Sequence, residues 1–297
     1  MKILVTGSNG LLGQKLTELM EKNDSVQLIA TAARSAALPL TTGKFYLLDI
    51  TDKASVDRII DQCKPDVIIN TAAMTQVDQC ETQREACWRT NVLAVENLVS
   101  ASRRTNAHLI HVSTDFIFDG KQGMLDENAT PDPVNYYGKS KLAAEKVVMD
   151  SDISWCIIRT VLVYGVTRDM SRSNIVLWVK KNLELGRTIQ VVGDQWRTPT
   201  LAEDLAMGCY LAAIKKVNGI FHVSGVDYMS IYDIAICTAD FFGLDKSLIK
   251  ETDSTKFTQP AKRPPKTGFI IDKARKVLGY EPHSFQEGLK TIATQLK

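Results

Sequence analysis

The sequence has little of what marks secreted, metal-binding or membrane chains. Its 297 residues include six cysteines and four histidines. The cysteines (Cys63, Cys80, Cys87, Cys156, Cys209, Cys237) form no C-x-x-C pair and do not cluster with His108, His111, His222 or His283. That excludes the spacings of a structural zinc site or a disulfide framework, and no metal ligand is assigned. No apolar run approaches the roughly 20 residues needed to cross a bilayer. The apolar stretch after Met1-Lys2 is too short for a signal-peptide core. A formal net charge of +2 is too weak a field to attract nucleic acid or a membrane surface. Repeats and low-complexity tracts are absent as well. These gaps point to a reduced, soluble, cytoplasmic protein whose anionic ligands are held locally.

What is present is an ordinary globular composition, 44% hydrophobic and 24% charged, arranged as a regular alternation. Short apolar runs at 3–6, 26–30, 45–48, 66–70, 109–112 and 155–159 read as strands. Helical spacing fills 11–22, 55–63, 85–104 and 136–149 between them. Near-continuous apolar strands separated by helices predict an α/β fold, a Rossmann-type doubly wound parallel sheet covered on both faces. After Arg159 the beat weakens. Helices are expected at 174–185, 202–215 and 285–295, with strands at 189–192 and 219–223. The division that follows is a dinucleotide-binding domain over 1–165 plus about 202–225, and a smaller C-terminal substrate-binding lobe from 166–201 and 226–297.

At the first strand-to-helix junction stands Thr6-Gly7-Ser8-Asn9-Gly10-Leu11-Leu12-Gly13. Glycines so spaced allow a tight turn, approach of backbone to a pyrophosphate, and close helix–sheet packing, while the helix N-terminus offers free N–H groups. The second strand ends Ala30-Thr31-Ala32-Ala33-Arg34 with no acid for the ribose hydroxyls. Arg34 is either a ligand for a 2′-phosphate or a solvated charge; the balance leans to NADP(H), with NAD(H) as the alternative. Asp49, followed by Ile50, either faces the adenine or caps the next helix.

Tyr137 and Lys141 are four residues apart, one helical turn, and so share a face. A phenol near its usual pKa of ~10 exchanges protons poorly at neutral pH, and a neighbouring ammonium favours the phenolate. Together they form a candidate acid–base pair. Upstream, Ser113-Thr114-Asp115 closes a strand, which places the Thr114 hydroxyl where parallel sheets bind ligands. The same residues also suit a plain turn.

The order of these segments resembles the extended short-chain dehydrogenase/reductase superfamily, and within it the dTDP-4-dehydrorhamnose reductases, over nearly the whole chain. The resemblance is carried by Asn70-Thr71-Ala72-Ala73-Met74-Thr75-Gln76-Val77-Asp78 followed by Glu81. It continues in Ser113-Thr114-Asp115-Phe116-Ile117-Phe118-Asp119-Gly120 and Arg159-Thr160-Val161-Leu162-Val163-Tyr164-Gly165. Asp194-Gln195, Pro199-Thr200, Asp204 and Arg263-Pro264 are later landmarks. The resemblance implies Thr114, Tyr137 and Lys141 as catalytic residues. It implies a cofactor held by Gly7, Gly10, Gly13, Ala72, Ala73, Asn91, Tyr137 and Lys141, and Leu11, Leu12, Arg34, Asp49, Ile50 and Thr71 complete the expected cofactor set. Thr75, Asp115, Phe116, Leu162, Trp196 and Arg263 form the expected substrate set. The implied reaction is hydride delivery to the C4 carbonyl of a nucleotide-linked 6-deoxy sugar, with Tyr137 donating the proton. A small-molecule nucleotide sugar is then the partner, and assembly as a homodimer is compatible with it. Two positions depart from the family pattern: Leu162 stands where a tryptophan is frequent, and Thr71 where alanine is.

Two other readings share the superfamily. An epimerase or dehydratase would retain its cofactor, but dehydratases of this group place a further acid after the threonine segment, where Phe116 follows Asp115. A non-catalytic branch serves as regulatory subunits of methionine adenosyltransferase; the intact Thr114, Tyr137 and Lys141 speak against it. Of the tryptophans, Trp155 opens an apolar strand and reads as core, whereas Trp196, expected in a loop, is the better ligand candidate. Lys262-Arg263 is either a diphosphate contact or a solvated basic loop.

Overall fold

A computed structural model describes residues 1–168 and 174–297; part of the 166–201 stretch assigned to the lobe, 169–173, lies outside the described residues. The first half alternates strands and helices: β1 (Lys2–Thr6), α1 (Leu11–Met20), β2 (Gln27–Ala32), β3 (Lys44–Leu47), α2 (Lys53–Cys63) and β4 (Val67–Asn70). Then come α3 (Val77–Thr82), α4 (Arg84–Trp88), α5 (Ala94–Thr105), β5 (His108–Thr114), α6 (Tyr136–Met149) and β6 (Trp155–Thr160). These strands, with the later β11 (Gly219–His222), form one seven-stranded sheet ordered β11-β6-β5-β4-β1-β2-β3. Every pairing in it is parallel. The order reverses between β1 and β4, so their carboxyl ends open a crevice, the usual ligand position in such sheets.

The expected strands are apolar throughout because both faces are covered. In β1, Ile3 and Val5 join one core cluster with Leu16, Val67, Ile69 and Ile158. Leu4, between them, joins the opposite cluster with Ile29, Ile68, Leu109 and Ile157, as the alternation of strand side chains requires. α2 begins where Asp52 accepts a bond from Ala54 N (3.1 Å) and ends at Lys64, whose φ of 45° stops the helix.

The long helix expected over 85–104 is interrupted. Between α4 and α5, Arg89–Leu93 forms a π-helical turn, a local widening that often marks a functional site. It carries Asn91, which is buried.

In the second half β7 (Val163–Tyr164), α7 (Ile175–Glu184), β8 (Ile189–Val192), β9 (Trp196–Arg197) and β10 (Thr200–Leu201) precede α8 (Ala202–Lys215). After β11 follow β12 (Met229–Ser230), α9 (Ile231–Phe241), β13 (Ile249–Thr252), β14 (Lys266–Thr267), α10 (Asp272–Leu278) and α11 (Phe285–Gln295). α7, α9 and α11 bury their own clusters. Tyr164, Val176, Ile234, Phe285 and Leu289 make one, and Val179, Ile189, Ala235 and Ile249 another. α8 and α10 instead contribute Leu205, Cys209, Ala274 and Leu278 to the sheet-side cluster. Trp196 lies in a short strand, not a loop, paired to Ser230 and Lys266. Among the described residues no helix is long and apolar enough to cross a membrane.

Candidate active site

The glycine turn closes as its spacing demands. Gly7 takes a φ of 67°, Gly10 N donates to Gly7 O at 2.9 Å, and α1 starts at Leu11. A Cβ on Gly13 would lie 2.2 Å from Gly7 O, so only glycine lets the helix sit this close to the turn. Among the described residues no side chain caps α1, and its first turn holds no acid. Its N–H groups and partial positive charge are therefore open to an anion. These features fit a dinucleotide diphosphate.

Around this cradle the expected cofactor residues take distinct places. The Thr71 hydroxyl donates to Thr6 O at 2.6 Å, tying the loop after β4 to the turn; this is what the departure from alanine does. Ala72 and Ala73 follow it, half-buried. Arg34 is exposed in a loop pinned by Asn9, whose Nδ2 donates to Ser35 O (2.8 Å) and whose Oδ1 accepts from Ala37 N (2.9 Å). Asn9 was not foreseen as an anchor. Asp49 is exposed and accepts from Thr51 N (2.9 Å) and the Thr51 hydroxyl (2.8 Å); Asp52, not Asp49, caps α2. Ile50 is buried beneath it.

Opposite the cradle, α6 delivers Tyr137 and Lys141 on one buried face with Ala144, Glu145 and Val148. Asn135 caps this helix by accepting from Gly138 N at 2.8 Å. A Cβ on Gly138 would stand 2.0 Å from Phe116 O, so this glycine lets α6 press against the turn that follows β5. The Thr114 hydroxyl lies close enough to the Tyr137 phenol to favour its ionised form. It also accepts from Phe116 N (3.2 Å) and donates to Asp115 Oδ1 (3.0 Å). The Phe116 ring meets Tyr137 edge-on at 5.9 Å.

Burial pushes the Tyr137 phenol above its usual range; the Thr114 hydroxyl opposes this, and Asp115, Cys80 and Cys87 reinforce it. The lowering by Lys141 that the spacing suggested is not found among these influences. Lys141 Nζ donates to Val112 O (2.7 Å) and lies 3.1 Å from His111 Nε2. Burial brings Lys141 down to about 8, against the opposing pull of Glu145 and Cys87. The phenol thus holds its proton at neutral pH, the form a proton donor needs. Asn91 braces the site: it accepts from Met74 N (2.8 Å), and its Nδ2 donates to Met74 O (3.1 Å) and Ser140 Oγ (3.0 Å).

The expected substrate residues divide into rim and support. Thr75 is exposed and Phe116 half-buried. Asp115 is 3% exposed and lies between the Thr114 hydroxyl, the Thr267 hydroxyl and, at 3.7 Å, Arg197; it holds the end of β5 in place. Leu162 has a φ of 37°, a conformation costing about 1–2 kcal/mol for an L residue, where the chain turns from β6 into β7. Trp196 packs against Tyr228 at 5.4 Å, an aromatic pair of which only Trp196 was foreseen. Arg263 is engaged by Asp78 through two bonds of 2.8 and 2.6 Å and by Ala261 O. The Pro-rich segment is thereby strapped to α3. Asn135 Nδ2 donates to Lys262 O (2.7 Å) and fixes it to α6 as well.

The family described as RmlD substrate binding domain matches residues 1–297. The dTDP-4-dehydrorhamnose reductase of Aggregatibacter actinomycetemcomitans is 32% identical over 98% of each chain. Methionine adenosyltransferase 2 subunit beta of Xenopus laevis is 32% identical over 84% of this chain and 74% of its own length. Among solved structures, a dTDP-4-dehydrorhamnose reductase from Clostridium acetobutylicum superposes with a TM-score of 0.89 at 30% identity, covering 100% of this chain and 99% of that one. The Bacillus anthracis reductase in complex with NADP gives 0.85 at 27% identity, over 99% of both chains. The chain belongs to the dTDP-4-dehydrorhamnose reductase family of the extended short-chain dehydrogenases/reductases.

Proposed function

We propose that this protein reduces the C4 keto group of a nucleotide-linked 4-keto-6-deoxy sugar with NADPH, as a dTDP-4-dehydrorhamnose reductase in dTDP-rhamnose biosynthesis. The observation that carries the reading is the buried, proton-bearing Tyr137 phenol beside the Thr114 hydroxyl at the carboxyl end of β5.

The Gly7–Gly13 turn would take the diphosphate, Arg34 the 2′-phosphate, and Ala72, Ala73 and Asn91 the nicotinamide side. When bound, NADPH supplies the hydride that C4 receives; NADH would supply the same hydride more weakly held. Tyr137 gives its proton to the carbonyl oxygen, while Thr114 orients the phenol and the substrate oxygen. Lys141, still an ammonium below its pKa of about 8, offsets the negative charge left on Tyr137. Thr75, Phe116, Leu162 and the Trp196–Tyr228 pair would face the sugar nucleotide, with Arg263 and Asp115 holding its walls. In this reading residues 1–165 and about 202–225 bind the cofactor, and 166–201 with 226–297 bind the substrate. Cytoplasmic operation and a homodimer belong to the same proposal; light scattering of the purified protein reads the latter.

The test is a stopped assay of NADPH oxidation with dTDP-4-keto-6-deoxy sugar, with the product identified by NMR. Stoichiometric NADPH loss and a C4 alcohol are expected. Binding of NADP without turnover of any ketosugar, with retention of a methionine adenosyltransferase, would replace the reading with the regulatory one. Tightly held NAD and no net consumption would replace it with epimerisation.

A further inference from the structure

Under α6 the sheet carries a row of polar side chains where aliphatics would be expected. Thr6, Asn70 and His111 are direct register partners across β1, β4 and β5. One step earlier the same face carries Leu4, Ile68 and Leu109, all in one apolar cluster. Thr6, Asn70, His111 and Lys141 are at most 2% exposed, so each polar atom must find a partner inside the protein. They find one another. The Thr6 hydroxyl donates to Asn70 Oδ1 at 2.6 Å. Asn70 Nδ2 lies 3.1 Å from His111 Nδ1, and His111 Nε2 lies 3.1 Å from Lys141 Nζ.

We propose that His111 is a positioning residue that sets the proton affinity of Lys141, its tautomer changing together with the lysine's charge. The proposal rests on the reductase reading for its kinetic consequence and on geometry for the rest. Burial and the nearby Lys141 charge keep His111 neutral, and a neutral imidazole has one N–H and one acceptor nitrogen. An ammonium at Lys141 only donates. It requires the Nε2 lone pair, which puts the proton on Nδ1 and turns the Asn70 amide so that its oxygen accepts there and its Nδ2 faces Thr6. A free amine at Lys141 accepts from Nε2–H, and Nδ1 then accepts from Asn70 Nδ2. The two states differ by one proton, released to solvent from Lys141, while His111 keeps its single proton on the other nitrogen. Both states keep His111 bonded to Lys141 and to Asn70, so the lysine titrates without the penalty an aliphatic neighbour would impose.

The other groups facing Lys141 are few. Glu145, on α6 itself, is paired with Arg159 from β6 by bonds of 3.0 and 2.7 Å. Cys87 comes from α4 and acts on the lysine. Tyr137 lies one turn back on the same helix, and Asp115, beyond β5, acts on that phenol. Among these His111 is the group in hydrogen-bond reach of Nζ besides Val112 O.

The test compares wild type, His111→Leu and His111→Gln, whose amide oxygen reaches the place of Nε2. The alkaline limb of kcat/KM for ketosugar reduction is expected to move about one to two pH units lower in His111→Leu, the effect of removing a bond to a charged group, and to return with His111→Gln. An unmoved limb in a folded, active His111→Leu overturns the proposal. The second measurement needs no variant and no turnover: ¹⁵N spectra of histidine-labelled wild type from about pH 6 to about pH 10. One imidazole should stay neutral throughout and exchange its Nδ1–H for Nε2–H with the midpoint of Lys141. An imidazole at this position that protonates in the ordinary histidine range, or keeps one tautomer throughout, overturns it. A wild type without reductase activity would fell the functional reading alone, leaving the spectra to decide this one.

Discussion

Tyr137, Thr114 and Lys141 were marked by spacing and strand order, and the structure brings all three to the carboxyl end of β5. What spacing did not disclose is how the lysine is held. Its partners, Val112 O and His111, come from sheet register, which sequence order alone does not express. The pH dependence follows from the depressed lysine. With Lys141 near 8, the ammonium is present below that pH and lost above it. The reduction rate should therefore be flat at neutral pH and fall about tenfold per unit above the pKa, as read from a pH profile of kcat/KM. Lys141→Met should lower the rate at every pH and remove that limb. At the cofactor's far end, Arg34→Ala should raise the KM for NADPH by about 10- to 100-fold, the worth of bonds to a charged group, and leave the KM for NADH nearly unchanged. Equal effects on both cofactors would assign Arg34 to the solvated surface.

The strands of the main sheet were legible because burial on both faces leaves a continuous apolar run between turn residues. α9 was not: Ile231, Ile234, Ile236 and the alanines Ala235 and Ala239 spread apolar residues around the helix, so no period stands out. Its Ser230–Asp233 capping box was the available signal. The two-residue strands β7, β9, β10, β12 and β14 are too short to show alternation. The π-helical turn at Arg89–Leu93 has no pattern of its own, yet it aims Asn91 at Met74 and Ser140. Asn91→Ala should lower activity while the NADPH-free protein stays folded, checked by circular dichroism beside the rate. Gly138→Ala is a harsher change. A methyl 2.0 Å from Phe116 O must displace α6 or the turn after β5. Overpacking of this kind costs about 1–3 kcal/mol, and thermal denaturation should show a melting temperature lower by roughly 2–4 °C for each of them.

The whole molecule joins a sheet that carries the glycine turn to a C-terminal segment folded back across its carboxyl edge. Residues 261–267 are held by Asp78 from α3, by Asn135 from the start of α6, and by Arg197, whose guanidinium donates to Pro264 O (2.8 Å) and Pro265 O (3.1 Å). Lys262-Arg263 was read as a choice between a diphosphate contact and a solvated loop. Its arginine instead fastens the segment, because contacts between residues 185 positions apart leave no trace in local pattern. Asp78→Ala should loosen this wall and raise the KM for the ketosugar several-fold with little change in kcat.

The most direct measurement is single-turnover reduction of dTDP-4-keto-6-deoxy sugar by NADPH in wild type and Tyr137→Phe, with NADPH affinity measured on both. Loss of a positioned proton donor should slow the chemical step by about 10²- to 10⁴-fold while NADPH binding stays within a factor of a few. A Tyr137→Phe enzyme as fast as wild type would contradict the assignment of the phenol as proton donor.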